Sequence, residues 1–333
     1  MAAKRILVIG GTGVQGFAVV KALLNAKAPF IVRVLSRNPD SETVKETFEG
    51  LPVEFAKGSF MDFDSVERAL QDCYGVFVNT DSSTVKESDE IWAGIRIFEI
   101  ANIIPTLRHF VYSGIDYHLK ITGFNKKYST HHANAKGRVS QYIQNQPSST
   151  SENGLTWSIL NTGAYTEMLA GGLFVPTISP DGTRLFQFPL GNGQIPLMSL
   201  SDCAAFTVIM FESRKEWSGK TLNIASQFAT GKEIADTVAR VAGVKAEYQP
   251  VTIEQWLAHF PYADRPMANM DPKGVTMGQN FKMLWAMLED DHLRGTRDMD
   301  ALKKIHPGLQ SLEEWIRETG YDGTPKPLFK RVY

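Results

Sequence analysis

The chain is poor in cysteine. Cys73 and Cys203 are the only two among 333 residues, and they fall in separate predicted elements. That argues against a disulfide scaffold and against a thiolate metal site, and both read as small buried hydrophobes. Long apolar runs are also missing, so no membrane-spanning segment is expected. Neither sign of charge is in excess: 35 basic residues stand against 36 acidic ones. That balance gives no electrostatic reason to expect nucleic acid or an anionic membrane as partner. A strand pattern begins almost at residue 1, so no signal peptide is expected, and a cytoplasmic, reducing compartment is the expectation. Internal repeats and low-complexity tracts are absent, and the length suits one large or two modest domains.

What is present begins with Arg5-Ile6-Leu7-Val8-Ile9, a strand-like run that leads into Gly10-Gly11-Thr12-Gly13-Val14-Gln15-Gly16 and then a helical run from Phe17 to Leu24. Strand, glycine turn and helix in that order suit a dinucleotide. Glycine permits the tight turn, backbone N–H groups approach the pyrophosphate, and the pyrophosphate sits on the positive end of the helix. The Gly10-x-x-Gly13-x-x-Gly16 spacing is that of short-chain dehydrogenase/reductase relatives.

Strand and helix patterns then alternate. Strands read as Ile31–Leu35, Val53–Ala56, Gly75–Asn79, His109–Ser113 and Thr156–Leu160, with helices between them such as Ser65–Gln71 and Ser88–Ala101. Near-continuous apolar strands separated by helices predict a parallel sheet covered on both faces. The polar, breaker-rich stretch from Gln144 to Gly154 reads as a surface loop before the sixth strand. Past Leu160, prolines and glycines crowd between Pro176 and Pro196 and predict short strands and turns. Helices return at Asp202–Phe211, Gly231–Ala242, Ile253–His259 and Leu312–Glu318. The fold expected is α/β, a Rossmann-like doubly wound parallel sheet over residues 1–160 with a smaller C-terminal α+β lobe over 161–333. Some segments of that lobe are expected to return to the sheet.

The end of the second strand bears on cofactor choice. An acidic residue there suits the ribose of NAD; this chain has Ser36 and Arg37, and the nearest carboxylate is Asp40. A guanidinium suits a 2′-phosphate, so NADP(H) is favoured, the bland alternative being that Arg37 is a solvated charge like Arg33 and Lys4. In Ser129–Arg138, His132 and Lys136 are four apart and share one helix face. A lysine can hydrogen-bond ribose hydroxyls and loses basicity if desolvated near another cation, while a histidine can exchange a proton near neutral pH. The alternative is an exposed basic helix start. His131 has no evident partner, and the histidine pair lacks a third metal ligand.

The glycine turn, Arg37, His132-x-x-x-Lys136-Gly137 and Leu160-Asn161-Thr162-Gly163-Ala164-Tyr165 together resemble the NmrA-like family of atypical short-chain dehydrogenases. Ile195–Asp202, Arg297-Asp298, Ile305-His306-Pro307 and Glu313-Glu314-Trp315 are similar to later parts of the same family. The resemblance implies NADP(H) binding through Gly10, Thr12, Gly13, Val14, Gln15 and Gly16, with further contacts from Arg37, Ser59, Phe60, Thr80, Lys136 and Tyr165. Lys136 and His132 are the catalytic candidates. The chain departs from the wider superfamily in having His132 where a catalytic Tyr is usual and Ile115 near the usual Ser. Ser59 stands at an acidic position, and Asn161-Thr162 replaces Arg-Pro. The tyrosinate mechanism in its usual form is therefore absent. Two functions remain: an NADPH-dependent reductase of a small aromatic or enone/carbonyl metabolite, or an NADP(H)-sensing regulator acting through a protein partner. Tyr165, Phe186 and Phe188 are candidates for an apolar substrate pocket, or else simple core. Monomer and homodimer both remain open.

Overall fold

The computed structural model describes residues 3–27 and 30–326. Its chain divides into two compact units, each assembled from several segments. The first runs through Asp116 and adds Ala135–Asn161 and Cys203–Leu222; the second holds Tyr117–Asn134, Thr162–Asp202 and the chain from Asn223 onward. The boundary read near residue 160 is thus one of several crossings. Ala135–Asn161 and Cys203–Leu222 complete the first unit, and residue order alone does not reveal which segments do so.

The first unit is built on β1 (Lys4–Ile9), β2 (Phe30–Ser36), β3 (Val53–Lys57), β4 (Gly75–Val78), β5 (His109–Ile115) and β6 (Thr156–Thr162), with an edge strand Lys220–Asn223. They lie in the order edge strand, β6, β5, β4, β1, β2, β3. The pairings β2–β3, β1–β2, β1–β4 and β4–β5 are all parallel, with Val8 opposite Val34 and Ile9 opposite Val78. Ile6 to Ile9 and Val76 to Val78 are fully buried, as strands covered on both faces must be. Around them lie α1 (Val14–Leu24), α2 (Glu42–Thr47), α3 (Phe63–Leu70) and α4 (Glu87–Ile103). Strand order reverses between β1 and β4, and ligands of such sheets bind outside the carboxyl ends of the strands at that point. Cys73 is buried, which pushes its thiol up to about 11, so it behaves as the inert hydrophobe expected.

The second unit holds α5 (His118–Ile121), the start of α6 (His131–Gln144) and two three-stranded sheets. Ile195–Met198 runs between Ala164–Tyr165, which is parallel to it, and Gln227–Ala229, which is antiparallel. Arg184–Phe186 is flanked in the same way by Ala246–Tyr248 and Thr177–Ile178. Among the described residues four helices open on reciprocal caps, Thr230 with Glu233, Thr252 with Gln255, Thr276 with Gln279 and Ser311 with Glu314. Helices Met277–Glu289 and Met299–Ile305 were not anticipated from sequence, although Thr276-x-x-Gln279 is a readable start signal. Of the two readings of Phe186 and Phe188, pocket wall or core, the structure has them as core: both are fully buried, and Phe188 stacks on Trp285 at 5.8 Å between centroids. Phe174, Phe186 and Trp256 complete the cluster around that pair, with ring centroids 5.6–5.9 Å apart.

Candidate functional site

In the first unit the glycine turn follows β1 directly. Gly10 has φ +82°, and a Cβ there would stand 2.5 Å from the Asn79 carbonyl oxygen; a Cβ on Gly16 would stand 2.2 Å from that of Gly10. The fold itself therefore demands glycine at both positions. Gly13 differs. It caps α1 from an ordinary extended conformation, is exposed, and a Cβ on it would meet only the Gly10 carbonyl oxygen at 3.4 Å. No side chain caps α1 and its first turn carries no acid, so the helix end is left suited to an anion. Thr12 and Val14 beside it are partly buried.

Behind this turn lies a continuous polar network. The buried Gln15 turns its amide inward, donating from Nε2 to Ser113 Oγ at 2.8 Å and to Cys203 Sγ at 3.2 Å, while its Oε1 accepts from Asn79 Nδ2 at 2.9 Å. Asn79 follows β4, and its Oδ1 accepts from Lys136 Nζ at 3.2 Å. Lys136 also donates to the Thr80 carbonyl at 2.8 Å and to Thr80 Oγ1 at 3.0 Å, and its ammonium lies 3.3 Å from Glu90 Oε1. Thr80 Oγ1 in turn donates to Glu90 Oε1 at 2.6 Å. Glu90 is 0% exposed and Lys136 6%. The charged neighbour of Lys136 is therefore a carboxylate rather than a second cation. Tyr112 is fully buried beside them, with Lys136 Nζ 5.9 Å from its ring centroid. Burial, then the charge of Glu90, push its phenol well above the ordinary range.

Sequence reasoning missed Glu90. In Glu87-Ser88-Asp89-Glu90 it looks like one more acid in a solvated first turn. A signal existed: Glu90 leads the stripe Gly94, Ile97, Ala101, all buried, which is the helix face that packs inward. Gly94 makes the meeting possible, because a Cβ there would lie 2.7 Å from Val139 Cγ2 on α6. The two helices approach closely at that point, and Glu90, one turn earlier on α4, comes level with Lys136.

Arg37 is exposed just beyond β2, and among the described residues no hydrogen bond or ion pair engages it. Arg33 is not a solvated charge. Its guanidinium donates to Glu54 Oε2 at 3.1 Å and to the carbonyls of Ala69 and Gln71. The Ser59 hydroxyl accepts from the Met61 N–H at 3.2 Å and so shapes the turn after β3, and Phe60 packs on the apolar core of the first unit. Thr80 spends its hydroxyl on Lys136 and Glu90, as described.

The second unit carries the other candidates. His131 is buried; its backbone N–H donates to Asn280 Oδ1 at 2.9 Å, while its ring Nε2 has no hydrogen-bond partner among the described residues. His132 Nδ1 lies 3.2 Å from Asn280 Nδ2 and 3.4 Å from its Oδ1, beside the Phe281 ring. His118 pairs through Nδ1 with Thr130 Oγ1 at 2.5 Å, and burial, then the nearby His132 and Arg297, push it down to about 3. Tyr165 sits on the short strand Ala164–Tyr165, opposite Met198. Among the described residues no group of three or more His, Cys, Asp or Glu could hold a metal ion, and no helix is long and apolar enough to cross a membrane.

A doubly wound parallel sheet with a glycine turn at its switch point defines a Rossmann-like α/β protein. The chain belongs to the NmrA-like family, whose model matches residues 2–316. It is 28% identical over 260 residues to an NmrA-like family domain-containing oxidoreductase, hkm9, of Aspergillus hancockii, covering 75% of this chain and 76% of that protein. It is 25% identical over 294 residues to an NAD(P)H azoreductase of Xenophilus azovorans, covering 88% and 90%. Its fold matches that of NmrA, a negative transcriptional regulator solved in complex with NADP, with a TM-score of 0.73 over 97% of this chain and 99% of that one, at 17% identity.

Proposed function

We propose that the chain is an NADPH-dependent reductase of a small aromatic or enone/carbonyl metabolite. The observation that carries this reading is the turn at the switch point. Gly10 and Gly16 are needed by the backbone, but Gly13 is not, and its open Cβ direction beside an uncapped helix end leaves room for a pyrophosphate. The relatives named as oxidoreductase and azoreductase support it. In this reading the N–H groups of Gly13, Val14 and Gln15 meet the pyrophosphate, with Gly10, Thr12 and Gly16 shaping the turn. Arg37 pairs with the 2′-phosphate, and Ser59 and Phe60 border the adenine end. When bound, the nicotinamide supplies hydride. Lys136, held by Asn79, Thr80 and Glu90, presents a fixed positive charge near the ribose. His132, on the same helix, hydrogen-bonds the substrate oxygen that gains a proton, and Tyr165 contributes an apolar wall.

Gly13→Val is expected to weaken NADPH binding about tenfold or more while leaving the unfolding midpoint near that of the wild type, because the added side chain fills space the ligand needs and displaces no backbone. Fluorescence titration and thermal melting check it together; full affinity in a folded variant would remove the site assignment. Arg37→Ala is expected to cost NADPH affinity about tenfold, near 1.4 kcal/mol, because its guanidinium is exposed and its pairing is screened. NADH affinity should barely change. Equal losses for both cofactors would place Arg37 outside the 2′-phosphate pocket.

One observation favours a second reading, an NADP(H)-binding regulator without turnover. The ammonium of Lys136 is already surrounded by acceptors of the protein itself, as suits a structural lysine. Incubation with NADPH and a panel of quinones, enones and azo dyes separates the two, since a regulator binds NADPH and oxidises none.

A further inference from the structure

We propose that Asn280 is a positioning residue that fixes the tautomer of His132, so that the neutral ring carries its proton on Nε2. Asn280 stands on the helix Met277–Glu289 and is 0% exposed. Its orientation is not free to flip. The His131 backbone N–H points at Oδ1 from 2.9 Å, and an inverted amide would set an NH2 group against that N–H. With Oδ1 so committed, Nδ2 is the atom nearer to His132 Nδ1, at 3.2 Å against 3.4 Å. Nδ2 can only donate, and an arrangement that satisfies both ends of the buried amide has Nδ1 accepting from it, which leaves the ring proton on Nε2. The opposite tautomer could turn its N–H only to Oδ1, at the longer 3.4 Å, with the amide NH2 closer at 3.2 Å. It would also leave a buried donor without its acceptor, since Asn280 Nδ2 lies within hydrogen-bond distance of His132 Nδ1.

The helix that carries Asn280 thus does for His132 what a backbone carbonyl or carboxylate does for many functional histidines, with the sign reversed: it supplies a donor to Nδ1 rather than an acceptor. The consequence is a neutral imidazole whose Nε2–H is a hydrogen-bond donor, suited to polarising a substrate oxygen. That consequence rests on the reductase reading, but the tautomer does not.

The test is nitrogen NMR of histidine-labelled protein near pH 8, with the His132 signals assigned by their loss in His132→Gln. The expected spectrum shows Nδ1 as the unprotonated, pyridine-like nitrogen and Nε2 as the protonated one. Asn280→Asp retains an acceptor for the His131 N–H and removes the amide donor, so it is expected to move the proton to Nδ1. A wild-type ring protonated at Nδ1 would overturn the proposal, and so would an Asn280→Asp spectrum unchanged from wild type. Because the spectrum is taken without substrate, a chain that reduces nothing still decides the matter, and failure of the reductase reading is seen separately in the turnover panel. Where turnover exists, Asn280→Asp should lower kcat with the KM for NADPH unchanged, a split that general loss of structure would not produce.

Discussion

Glu90→Ala is expected to destabilise the protein by about 3–5 kcal/mol, the scale of breaking a buried ion pair by removing one partner. The carboxylate has no exposed surface, and the substitution leaves the Lys136 ammonium with only the oxygens of Asn79 and Thr80 for company. The cost comes from stranding the charge, not from the worth of the pair. A double variant, Glu90→Leu with Lys136→Met, should therefore recover most of the loss, because apolar groups of similar volume replace both charges. Urea unfolding followed by tryptophan fluorescence measures both variants. If Glu90→Ala stays within about 1 kcal/mol of wild type, the pair is not part of what holds α4 to α6. The same logic governs any test of Lys136. Lys136→Ala strands Glu90, so a loss of cofactor binding in that variant mixes function with folding, and Lys136→Met is best read in the Glu90→Gln background.

His132→Ala is expected to leave NADPH affinity nearly unchanged and to lower turnover by roughly 10²–10⁴-fold, the range for a lost proton-transfer or hydrogen-bonding group at the reacting oxygen. The substitution also removes the acceptor for Asn280 Nδ2, so a small stability loss of about 1 kcal/mol accompanies it. His132→Gln offers a donor again and should restore part of the rate. The Lys136→Met, Glu90→Gln pair of changes should weaken NADPH binding as well as turnover, which divides the two residues by function. Single-turnover kinetics with saturating NADPH make the comparison. Turnover that survives His132→Ala would assign the proton to water or to another group such as Tyr165. No turnover in the wild type, with NADPH still bound, would support the regulator.

Much of the first unit is legible in residue order. Ile6 to Ile9 and Val76 to Val78 are apolar without alternation, and that pattern is what a strand buried on both faces requires. The glycine turn announces itself because Gly10 at φ +82° and Gly16 at its contact with Gly10 have no other solution. The place of Arg37 is legible for a similar reason: it directly follows the strand next to the one that carries the turn. The same logic reaches Gly231–Ala242 and Ile253–His259, whose ends are set by local caps.

What residue order determined by itself was local: backbone periodicity, the glycine-bearing turn, the helix caps and the shared face of His132 and Lys136. Each depends on neighbours within a few positions. Tertiary structure alone decided what those side chains touch. Glu90 reads as a solvated acid until Gly94 lets α4 close on Val139 and brings it to Lys136. Asn280 reads as one polar residue in a helix until that helix sets it against His131 and His132, 149 and 148 positions away. Phe186 and Phe188 read as pocket wall or as core until Trp285 stacks on one of them. The physical reason is common to all three. A buried charge, an amide orientation or an aromatic stack is stabilised only by the particular partner that chain folding delivers, and hydrophobic periodicity carries no record of which partner that is.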